Sequence, residues 1–425
     1  MEEKDALVLL NEWWKSGEVS ENLAKVYKRR VFDEAWRLLN KHRQALLITG
    51  LRRVGKSTLL YQLISSLIDN GVKADNIIYF SFDIASAQIV KILDAYTSLT
   101  GIDWKKERIY IFFDEVQKLK AWSSQIKIIY DSFPNIKIIL SGSASLQLEN
   151  EAKSNLAGRY FTIDMKPLSI IEYYELKRGK HIDRFELYEG ELGNELENYI
   201  KKPFPEIVNW ESDAEIKTYI KESIVAKITR GDLPDTFGSV NFALLEGLLA
   251  LFYSKPGMII NIDKLSRDFQ VSKTTLENHL FYLEFAKLVR IVKNYRVNIS
   301  TTSRKLKKVY PYDASLALAI ANVEFPYIIE TVVASALDCN YYWRMGTKEV
   351  DFVMTNPLVP IEVKSSHTID EEASNTLTYF IERYKAKKGL LIYNGEDERK
   401  IGDIDVLPLV RLLSSGMGFL EDTSN

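Results

Sequence analysis

The stretch GLRRVGKST, residues 50–58, decides the fold of the first part of this chain. It follows the apolar run ALLI at residues 45–48 and fills every fixed place of the phosphate-binding pattern GxxxxGK[ST]. The two glycines of such a loop bend the backbone, so that successive N–H groups converge on a phosphate at the positive end of the next helix. The predicted nucleotide-binding residues are Gly50, Leu51, Arg52, Arg53, Val54, Gly55, Lys56, Ser57 and Thr58.

Two side chains of this loop have predicted roles in phosphate chemistry. Lys56 would reach the β- and γ-phosphates of ATP, and the hydroxyl of Ser57 would bind Mg²⁺. Apolar residues at helical spacing over residues 57–67 predict the helix that must follow the loop. The alternative is a glycine-rich turn between a strand and a helix that binds no ligand.

A second motif ends the apolar segment RIYIFF, residues 108–113, which is followed by Asp114 and Glu115. Ligands of parallel α/β sheets bind beyond the carboxyl ends of the strands, so we expect both carboxylates at the nucleotide site. Asp114 would hold Mg²⁺, and Glu115 would polarise the water that attacks the γ-phosphate. Taken alone, an Asp-Glu pair after a strand is more often a helix N-cap.

Polar residues beyond a further predicted strand, residues 136–140, extend the candidate ATP site. Ser141 or Ser143 could sense the γ-phosphate, although a serine-rich stretch is also an ordinary turn. Arg159 follows a glycine and could neutralise charge in the transition state, from the same chain or from a neighbouring subunit. An ordinary surface arginine is the alternative. The candidate catalytic residues of this part are Lys56, Glu115, Ser143 and Arg159.

The composition indicates two to three domains, because 425 residues with 46% hydrophobic content can fill more than one core. The single cysteine, Cys339, excludes an internal disulfide, fits a reducing cytosol and is expected to be a small buried apolar residue. No uninterrupted apolar run approaches the ~20 residues that span a bilayer. We therefore expect a cytoplasmic protein with no membrane partner.

The middle of the chain has a pattern of three helices and a strand. Apolar residues at helical spacing define the helices, and Ser272 is an apt N-cap for the third of them. A helix, a turn and a helix followed by a strand that alternates apolar and basic residues is typical of a winged helix. The helices are predicted over residues 240–253, 261–269 and 273–285, and the strand over residues 288–295.

A basic stretch follows this pattern, with eight cations and no acidic residue between positions 287 and 308. Such a stretch suits phosphate contacts, and the exposed face of the third helix would enter the major groove of DNA. Alternatively, the module packs against the ATPase part and positions it, and Glu277 on the same helix face weakens base reading. The predicted DNA-contacting residues are Lys273, Thr274, Arg290, Lys293, Arg304, Lys305, Lys307 and Lys308.

Two predicted strands near the C-terminus, residues 349–354 and 359–363, bring Asp351, Glu362 and Lys364 into one region. Glu362 and Lys364 share one face of their strand because strand side chains repeat every two residues. Two carboxylates on adjacent strands can hold a divalent metal ion, which activates a water molecule for attack on a phosphodiester. An ion pair between Lys364 and a neighbouring carboxylate, with no catalysis, is the alternative.

The order of an Asp, a hairpin and then Glu-x-Lys resembles the PD-(D/E)XK nuclease core. The resemblance implies that Asp351 and Glu362 hold the metal ion and that Lys364 orients the attacking water. Glu330, on a helix predicted over residues 328–337, matches the additional carboxylate of that family. All four are therefore candidate catalytic residues, with a second Mg²⁺ or a Mn²⁺ as the implied cofactor.

Several segments together resemble a wider family. ITGLRRVGKSTLL, IFFDEVQKL, ILSGSAS, LAGRY and PLSIIEYYEL are similar to segments of prokaryotic, archaeal-type AAA ATPases whose C-terminal part is restriction-endonuclease-like. The resemblance implies an α/β protein of three parts. These are a P-loop AAA-type ATPase domain at residues 1–170, a helical connector with a winged helix at residues 171–315, and a PD-(D/E)XK nuclease-like α/β domain at residues 316–425.

The motifs and the resemblance together predict a Mg²⁺-dependent ATPase that couples its nucleotide state to binding or processing of DNA. Branched and duplex DNA are both candidate partners, and a homo-oligomer is a further one, since AAA-type ATPases often complete their site with a neighbour's arginine. The alternative is a slow nucleotide-dependent switch or scaffold whose nuclease-like domain is inactive and contacts proteins.

Overall fold

The computed structural model of this chain describes residues 1–143, 152–296, 306–369 and 371–416. It divides into two compact units, Met1–Pro167 and Leu168–Asn425. In the part of the chain that the structure describes, no helix is long and apolar enough to cross a bilayer. The three-part division expected from the sequence stays a prediction.

The first unit contains a five-stranded sheet in the order β2-β3-β4-β1-β5. All neighbouring strands pair in parallel, as the alternation of strands and helices predicts. The carboxyl ends of β1, β3 and β4 therefore meet at one edge of the sheet. The strands are β1 (Ala45–Gly50), β2 (Ile77–Ser81), β3 (Ile109–Asp114), β4 (Ile136–Gly142) and β5 (Tyr160–Met165).

Helices of the first unit bury the apolar faces of this sheet and also cover its β2 edge. The side chain of Asn11 pairs with the backbone of Tyr79 like an additional strand, accepting from its N–H at 2.7 Å and donating to its carbonyl at 2.9 Å. An otherwise open strand edge is thereby blocked. The helices are α1 (Glu3–Leu10), α2 (Trp13–Ser16), α3 (Glu21–Ala24), α4 (Val31–Lys41), α5 (Lys56–Asp69), α6 (Ile89–Thr100) and α7 (Trp122–Ser132).

The second unit begins with helices, including a π-helical stretch over Ile220–Ala226 and Ile228–Asp232. The predicted N-cap of the helix Lys273–Phe285 is confirmed, because the Ser272 hydroxyl accepts a 3.0 Å hydrogen bond from the backbone N–H of Thr275. The helices are α8 (Ile170–Arg178), α9 (Glu189–Lys201), α10 (Asp213–Tyr219), α11 (Leu233–Phe237), α12 (Phe242–Ser254), α13 (Ile262–Asp268), α14 (Lys273–Phe285), α15 (Ala314–Ile320), α16 (Phe325–Ala336), α17 (Glu371–Tyr384) and α18 (Leu409–Ser415).

Two five-stranded sheets complete the second unit, in the orders β10-β9-β7-β8-β6 and β11-β12-β13-β15-β14. In the first sheet β7 pairs in parallel with β9, so strands from the middle and from the C-terminal part of the chain share one sheet. The strands are β6 (Met258–Ile260), β7 (Val289–Asn294), β8 (Lys307–Pro311), β9 (Tyr341–Met345), β10 (Lys348–Val350), β11 (Phe352–Thr355), β12 (Leu358–Lys364), β13 (Gly389–Tyr393), β14 (Arg399–Ile401) and β15 (Ile404–Pro408).

The strand expected over residues 349–354 is two strands, and Asp351 lies between them. β10 belongs to one sheet and β11 to the other, so the chain changes sheets at this residue. Both flanking side chains are fully buried, Val350 in one hydrophobic cluster and Phe352 in another. The sequence predicts one strand here because apolar residues lie on both sides of Asp351 and periodicity does not show which core a residue enters.

Candidate active sites

The phosphate loop connects the end of β1 to the start of α5. Gly50 has a φ of 148°, and a Cβ at this position would lie 2.3 Å from the carbonyl oxygen of Met165. Gly55 has a φ of 97° and forms the N-cap of α5. Both positions therefore require glycine, one for close approach of β5 and the other for the left-handed backbone.

The ammonium group of Lys56 lies beneath the loop, and the residue is only 5% exposed. Its Nζ donates hydrogen bonds to the carbonyl oxygens of Gly50 at 3.1 Å and Leu51 at 2.9 Å. Outside the motif, Arg29 donates to the Val54 carbonyl at 2.9 Å and to the Lys166 carbonyl at 2.8 Å. Two cations thus bind backbone carbonyls of the loop and hold it in shape.

Asp114 accepts hydrogen bonds from four groups at the carboxyl end of β3. Ser57 Oγ donates to Oδ2 at 2.6 Å, and the Tyr79 hydroxyl donates to the same oxygen at 2.9 Å. Ser141 Oγ and the backbone N–H of Glu115 bind Oδ1, the latter at 3.0 Å. Burial, and then the charge of Asp114, raises the pKa of Tyr79 well above its usual value, so that its hydroxyl stays a donor.

The carboxylate of Glu115 is bound by Gln117 and Ser143. Gln117 Nε2 donates both to Glu115 Oε2 and, at 3.0 Å, to Ser143 Oγ, and Ser143 Oγ donates to Glu115 Oε2 at 3.0 Å. Burial raises the pKa of Glu115, but the positive charges of Lys56 and Arg52 together with the hydrogen bonds from Gln117 and Ser143 outweigh it, and the pKa is lowered overall. Glu115 is therefore an ionised carboxylate with a fixed orientation.

Sequence reasoning missed Arg29, Tyr79 and Gln117. Tyr79 precedes by two residues Ser81, the register partner of Asp114, and its side chain lies on the same strand face as that of Ser81. Gln117 likewise lies two residues from a motif residue, Glu115. Each lies near a motif residue in space but outside every fixed position of a motif, so the sequence carries only weak signals for them.

The structure brings Arg159 together with Asp131 and not with the phosphate loop. Its guanidinium forms a two-pronged ion pair, with Nε to Oδ1 at 2.8 Å and Nη2 to Oδ2 at 3.1 Å. The Arg159 side chain is one-third exposed, which leaves it near the surface of the first unit. The roles expected for Arg159, in its own ATP site or in that of a neighbouring subunit, stay predictions.

The carboxylates predicted to form a metal site lie close together in the second unit. Asp351 Oδ2 accepts a 2.9 Å hydrogen bond from the backbone N–H of Val363 on β12. Glu362 Oε1 accepts a 3.1 Å ion-paired hydrogen bond from Lys364 Nζ. The other carboxylate oxygen of Glu362, Oε2, is buried and has no hydrogen-bond partner among the residues that the structure describes. Such an orphaned oxygen is an unusual feature of a buried site and is available to bind a cation.

Two further polar pairs border these residues. The Tyr310 hydroxyl donates a 3.0 Å hydrogen bond to Glu330 Oε2, and Lys308 forms an ion pair with Glu349. Within the described ranges, no group of three or more His, Cys, Asp or Glu side chains is arranged to hold a metal ion. A divalent ion in this conformation would therefore depend on Asp351 and Glu362 with water, a set of hard oxygen donors that suits Mg²⁺.

The carboxylates of this cluster hold protons unusually strongly. Burial, followed by the negative charge of Asp351, raises the pKa of Glu330 to about 7 and that of Glu362 to about 8. Burial also raises the pKa of Asp351. Several anions are thus crowded in a region of low dielectric, where either a proton or a bound cation relieves their repulsion.

The structure buries two of the eight residues predicted to contact DNA. Arg290 is 7% exposed and its Nη1 lies 2.6 Å from Asp338 Oδ1, while Lys308 is 6% exposed and paired with Glu349. Neither cation faces solvent, so neither can contact a phosphate in this conformation. The physical reason for Lys308 is the alternation of side chains along β8, which directs neighbouring lysines to opposite faces.

The exposed members of the basic set are on one hairpin and one helix. Lys293 and Lys307 are exposed and directly opposite each other on β7 and β8. At the start of α14, Thr274 is exposed and Lys273 is exposed but paired with Asp263. Arg304 and Lys305 lie outside the described residues.

Comparison with known proteins identifies a domain class for the first unit. Residues 42–174 match the family model of the AAA domain, and residues 199–326 and 327–412 match two domains of unknown function, DUF8612 and DUF4143. Together with the parallel sheet and the phosphate loop, this match defines the first unit as an AAA-type P-loop ATPase domain.

Sequence alignments with related proteins cover most of this chain. An uncharacterized protein of Haemophilus influenzae is 26% identical over 378 residues, covering 86% of this chain and 92% of its own. An uncharacterized protein of Methanocaldococcus jannaschii is 26% identical over 414 residues, with coverage of 87% and 84%. A solved Walker-type ATPase of Pyrococcus abyssi is 16% identical and covers 69% of this chain and 96% of its own, with a TM-score of 0.42.

Proposed function

We propose that this chain is a Mg²⁺-dependent ATPase whose nucleotide state controls DNA binding or processing by its second unit. The observation that carries the ATPase part is the set of hydrogen bonds around Asp114, which joins the phosphate loop through Ser57 to the carboxyl end of β3. A hydroxyl and a carboxylate that meet there form an oxygen donor pair suited to Mg²⁺.

Each residue of this site has a role in the proposed reaction. Lys56 exchanges its loop carbonyl partners for the β- and γ-phosphates of ATP. Ser57 and Asp114 would hold Mg²⁺, which supplies charge neutralisation at the phosphates when bound. Glu115 accepts a proton from the attacking water, and its lowered pKa keeps it ionised for this purpose. Ser143 binds the carboxylate of Glu115, so that the serine can signal to Glu115 whether the γ-phosphate is present.

Two substitutions test the ATPase. Lys56→Ala should abolish ATP binding and hydrolysis, whereas Glu115→Gln should still bind ATP and lose turnover by about a hundred-fold or more. ATP binding is measured by calorimetry and phosphate release by a coupled assay. Lys41→Ala, an exposed lysine at the end of α4, serves as the matched control. Undiminished turnover in either variant would refute the assignment.

A winged-helix role for the middle of the chain is supported by its element order. α12, β6, α13 and α14 precede the hairpin of β7 and β8, and β6 pairs with β8. The proposed DNA surface comprises Lys273, Thr274, Lys293 and Lys307, and Arg304 and Lys305 remain further candidates. Exposed lysines along a hairpin suit a phosphate backbone better than base edges.

Salt titration of DNA binding tests this surface. Replacing Lys293 and Lys307 together by Ala should weaken duplex binding and reduce the slope of log affinity against log salt by about 2. Lys221→Ala, an exposed lysine on the π-helical stretch, is the control and should leave the slope unchanged. An unchanged slope in the double variant would exclude the hairpin as the DNA surface.

We further propose that Glu330, Asp351, Glu362 and Lys364 form a metal-dependent DNA cleavage site. The orphaned oxygen of Glu362 supports this proposal. Branched, single-stranded and duplex DNA are incubated with Mg²⁺ or Mn²⁺, with Asp351→Ala as the control that should lose cleavage. Absence of cleavage on all substrates would instead favour the alternative, a slow nucleotide-dependent switch or scaffold whose C-terminal part contacts proteins.

A further inference from the structure

Lys308 is a cation in an unexpected place. It is the second residue of β8, and its ammonium is buried against Glu349 within the second unit. The aromatic ring of Tyr342 lies 5.1 Å from Nζ and provides a second favourable contact. Its neighbour Lys307 is exposed. Adjacent lysines of the same basic segment therefore have different environments, since Lys308 contacts groups inside the second unit and Lys307 faces solvent.

The strand β8 directs two side chains toward the carboxylates. Lys308 and Tyr310 share one strand face, and Tyr310 donates to Glu330. Burial lowers the pKa of Lys308, but the negative charges of Asp351, Glu349 and Glu330 outweigh it, so the pKa is raised and the ammonium stays charged. A single positive charge thus already offsets part of the negative charge of the proposed metal site.

Charge balance within the cluster is incomplete even with this lysine. Glu362 Oε2 is buried and lacks a hydrogen-bond partner in the described part of the chain, and the other oxygen of Glu362 contacts the cation Lys364. Arg344 lies at the edge of the cluster, 3.5 Å from Glu349 through Nε. A divalent ion among these carboxylates would therefore approach Lys308, and the two cations would repel each other at low dielectric.

We propose that Lys308 is an internal cation that competes with a divalent metal ion for the carboxylate of Asp351. Because Lys308 belongs to β8, metal binding at Asp351 then depends on a residue of the β7 and β8 hairpin. The inference rests on the proposed function, in which Asp351 and Glu362 bind a metal ion. Lys308 would thereby regulate metal binding from β8, a strand that lies outside the Asp and Glu-x-Lys pattern.

The test measures Mn²⁺ binding to the full chain by calorimetry and by electron paramagnetic resonance. All proteins carry Asp114→Asn, so that the nucleotide site does not contribute to the signal. Lys308→Met should bind Mn²⁺ at least about ten-fold more tightly than the parent, because one repelling charge is removed. Lys308→Arg keeps the charge and Lys307→Met alters only an exposed lysine, and both should match the parent.

The other outcomes separate the inference from the proposed metal site. If Lys308→Met binds Mn²⁺ no more tightly than the parent while Asp351→Asn loses binding, the metal site stands and competition by Lys308 is refuted. If no variant binds Mn²⁺, or if Asp351→Asn binds it unchanged, both the metal site and the inference fail. Lys308→Gln is a second neutral variant, to be measured in the same way where Lys308→Met does not fold.

Discussion

The hydroxyl of Ser57 donates a 2.6 Å hydrogen bond to a carboxylate oxygen of Asp114. Ser57 lies in the first turn of α5 and Asp114 ends β3, so this contact joins the two halves of the ATP site directly. In the proposed reaction both groups bind Mg²⁺, and the hydrogen bond holds them near one another before the ion arrives. The contact is therefore a form of preorganisation.

The first prediction concerns Asp114 and its tyrosine donor. Asp114→Asn should reduce Mg²⁺-dependent ATP hydrolysis by about a hundred-fold or more, because it removes a charged metal ligand. Tyr79→Phe keeps the carboxylate and removes one donor, so the Mg²⁺ concentration for half-maximal activity should change by less than about ten-fold. Tyr110→Phe on β3 is the control. Full activity of Asp114→Asn at all Mg²⁺ concentrations would contradict the assigned role.

The second prediction concerns Gln117, which we expect to position Glu115. Gln117→Leu should lower kcat for ATP by about ten- to a hundred-fold and leave KM nearly unchanged, because the carboxylate loses its fixed orientation. Steady-state kinetics separate the two constants. Gln88→Leu, an exposed glutamine of the same unit, should behave as the parent. A rise in KM with constant kcat would assign Gln117 to nucleotide binding instead.

The third prediction concerns the close approach of β1 and β5. Gly50→Ala should lower the free energy of unfolding by about 2–4 kcal/mol, because the new Cβ would meet the Met165 carbonyl and φ is positive. Gly71→Ala also has a positive φ but nothing within 4 Å, and should cost about 1 kcal/mol. Urea unfolding measures both. Equal losses would show that backbone strain alone makes glycine necessary at position 50.

The fourth prediction is a pH dependence of stability without divalent ions. The pKa of Glu362 is raised to about 8 from 4.5 and that of Glu330 to about 7, chiefly by burial. Between these folded values and 4.5 the native state binds more protons than the unfolded chain, so the free energy of unfolding falls as pH rises. Glu362→Gln should reduce this fall by on the order of 2 kcal/mol between pH 5 and 8.

Urea unfolding in EDTA at several pH values measures this effect. Glu396→Gln, an exposed glutamate of the same unit, is the matched control and should leave the pH dependence as it is in the parent. Parallel stability curves for the parent and Glu362→Gln would show that Glu362 titrates alike in the folded and unfolded states. The crowded-carboxylate description of the cluster would then be wrong.

Much of the local structure could be predicted because the residues that indicate each element lie close together in the sequence. The helix Lys273–Phe285 has the predicted bounds, since its cap and its apolar periodicity lie in one short stretch of the sequence. The expectation that Cys339 is buried is also confirmed. The phosphate loop was evident from one motif, whose glycines are required by the local backbone and by one neighbouring strand.

The tertiary structure decided which distant groups meet. The amino-acid sequence alone determined an AAA-type ATPase domain and the polar residues at the ends of its strands. It did not reveal that Tyr79 binds Asp114, that Asp351 lies where the chain changes sheets, or that Lys308 is buried with Glu349. A strand's periodicity shows that neighbouring side chains point to opposite faces, but strand pairing and packing determine which face is buried and beside which charge.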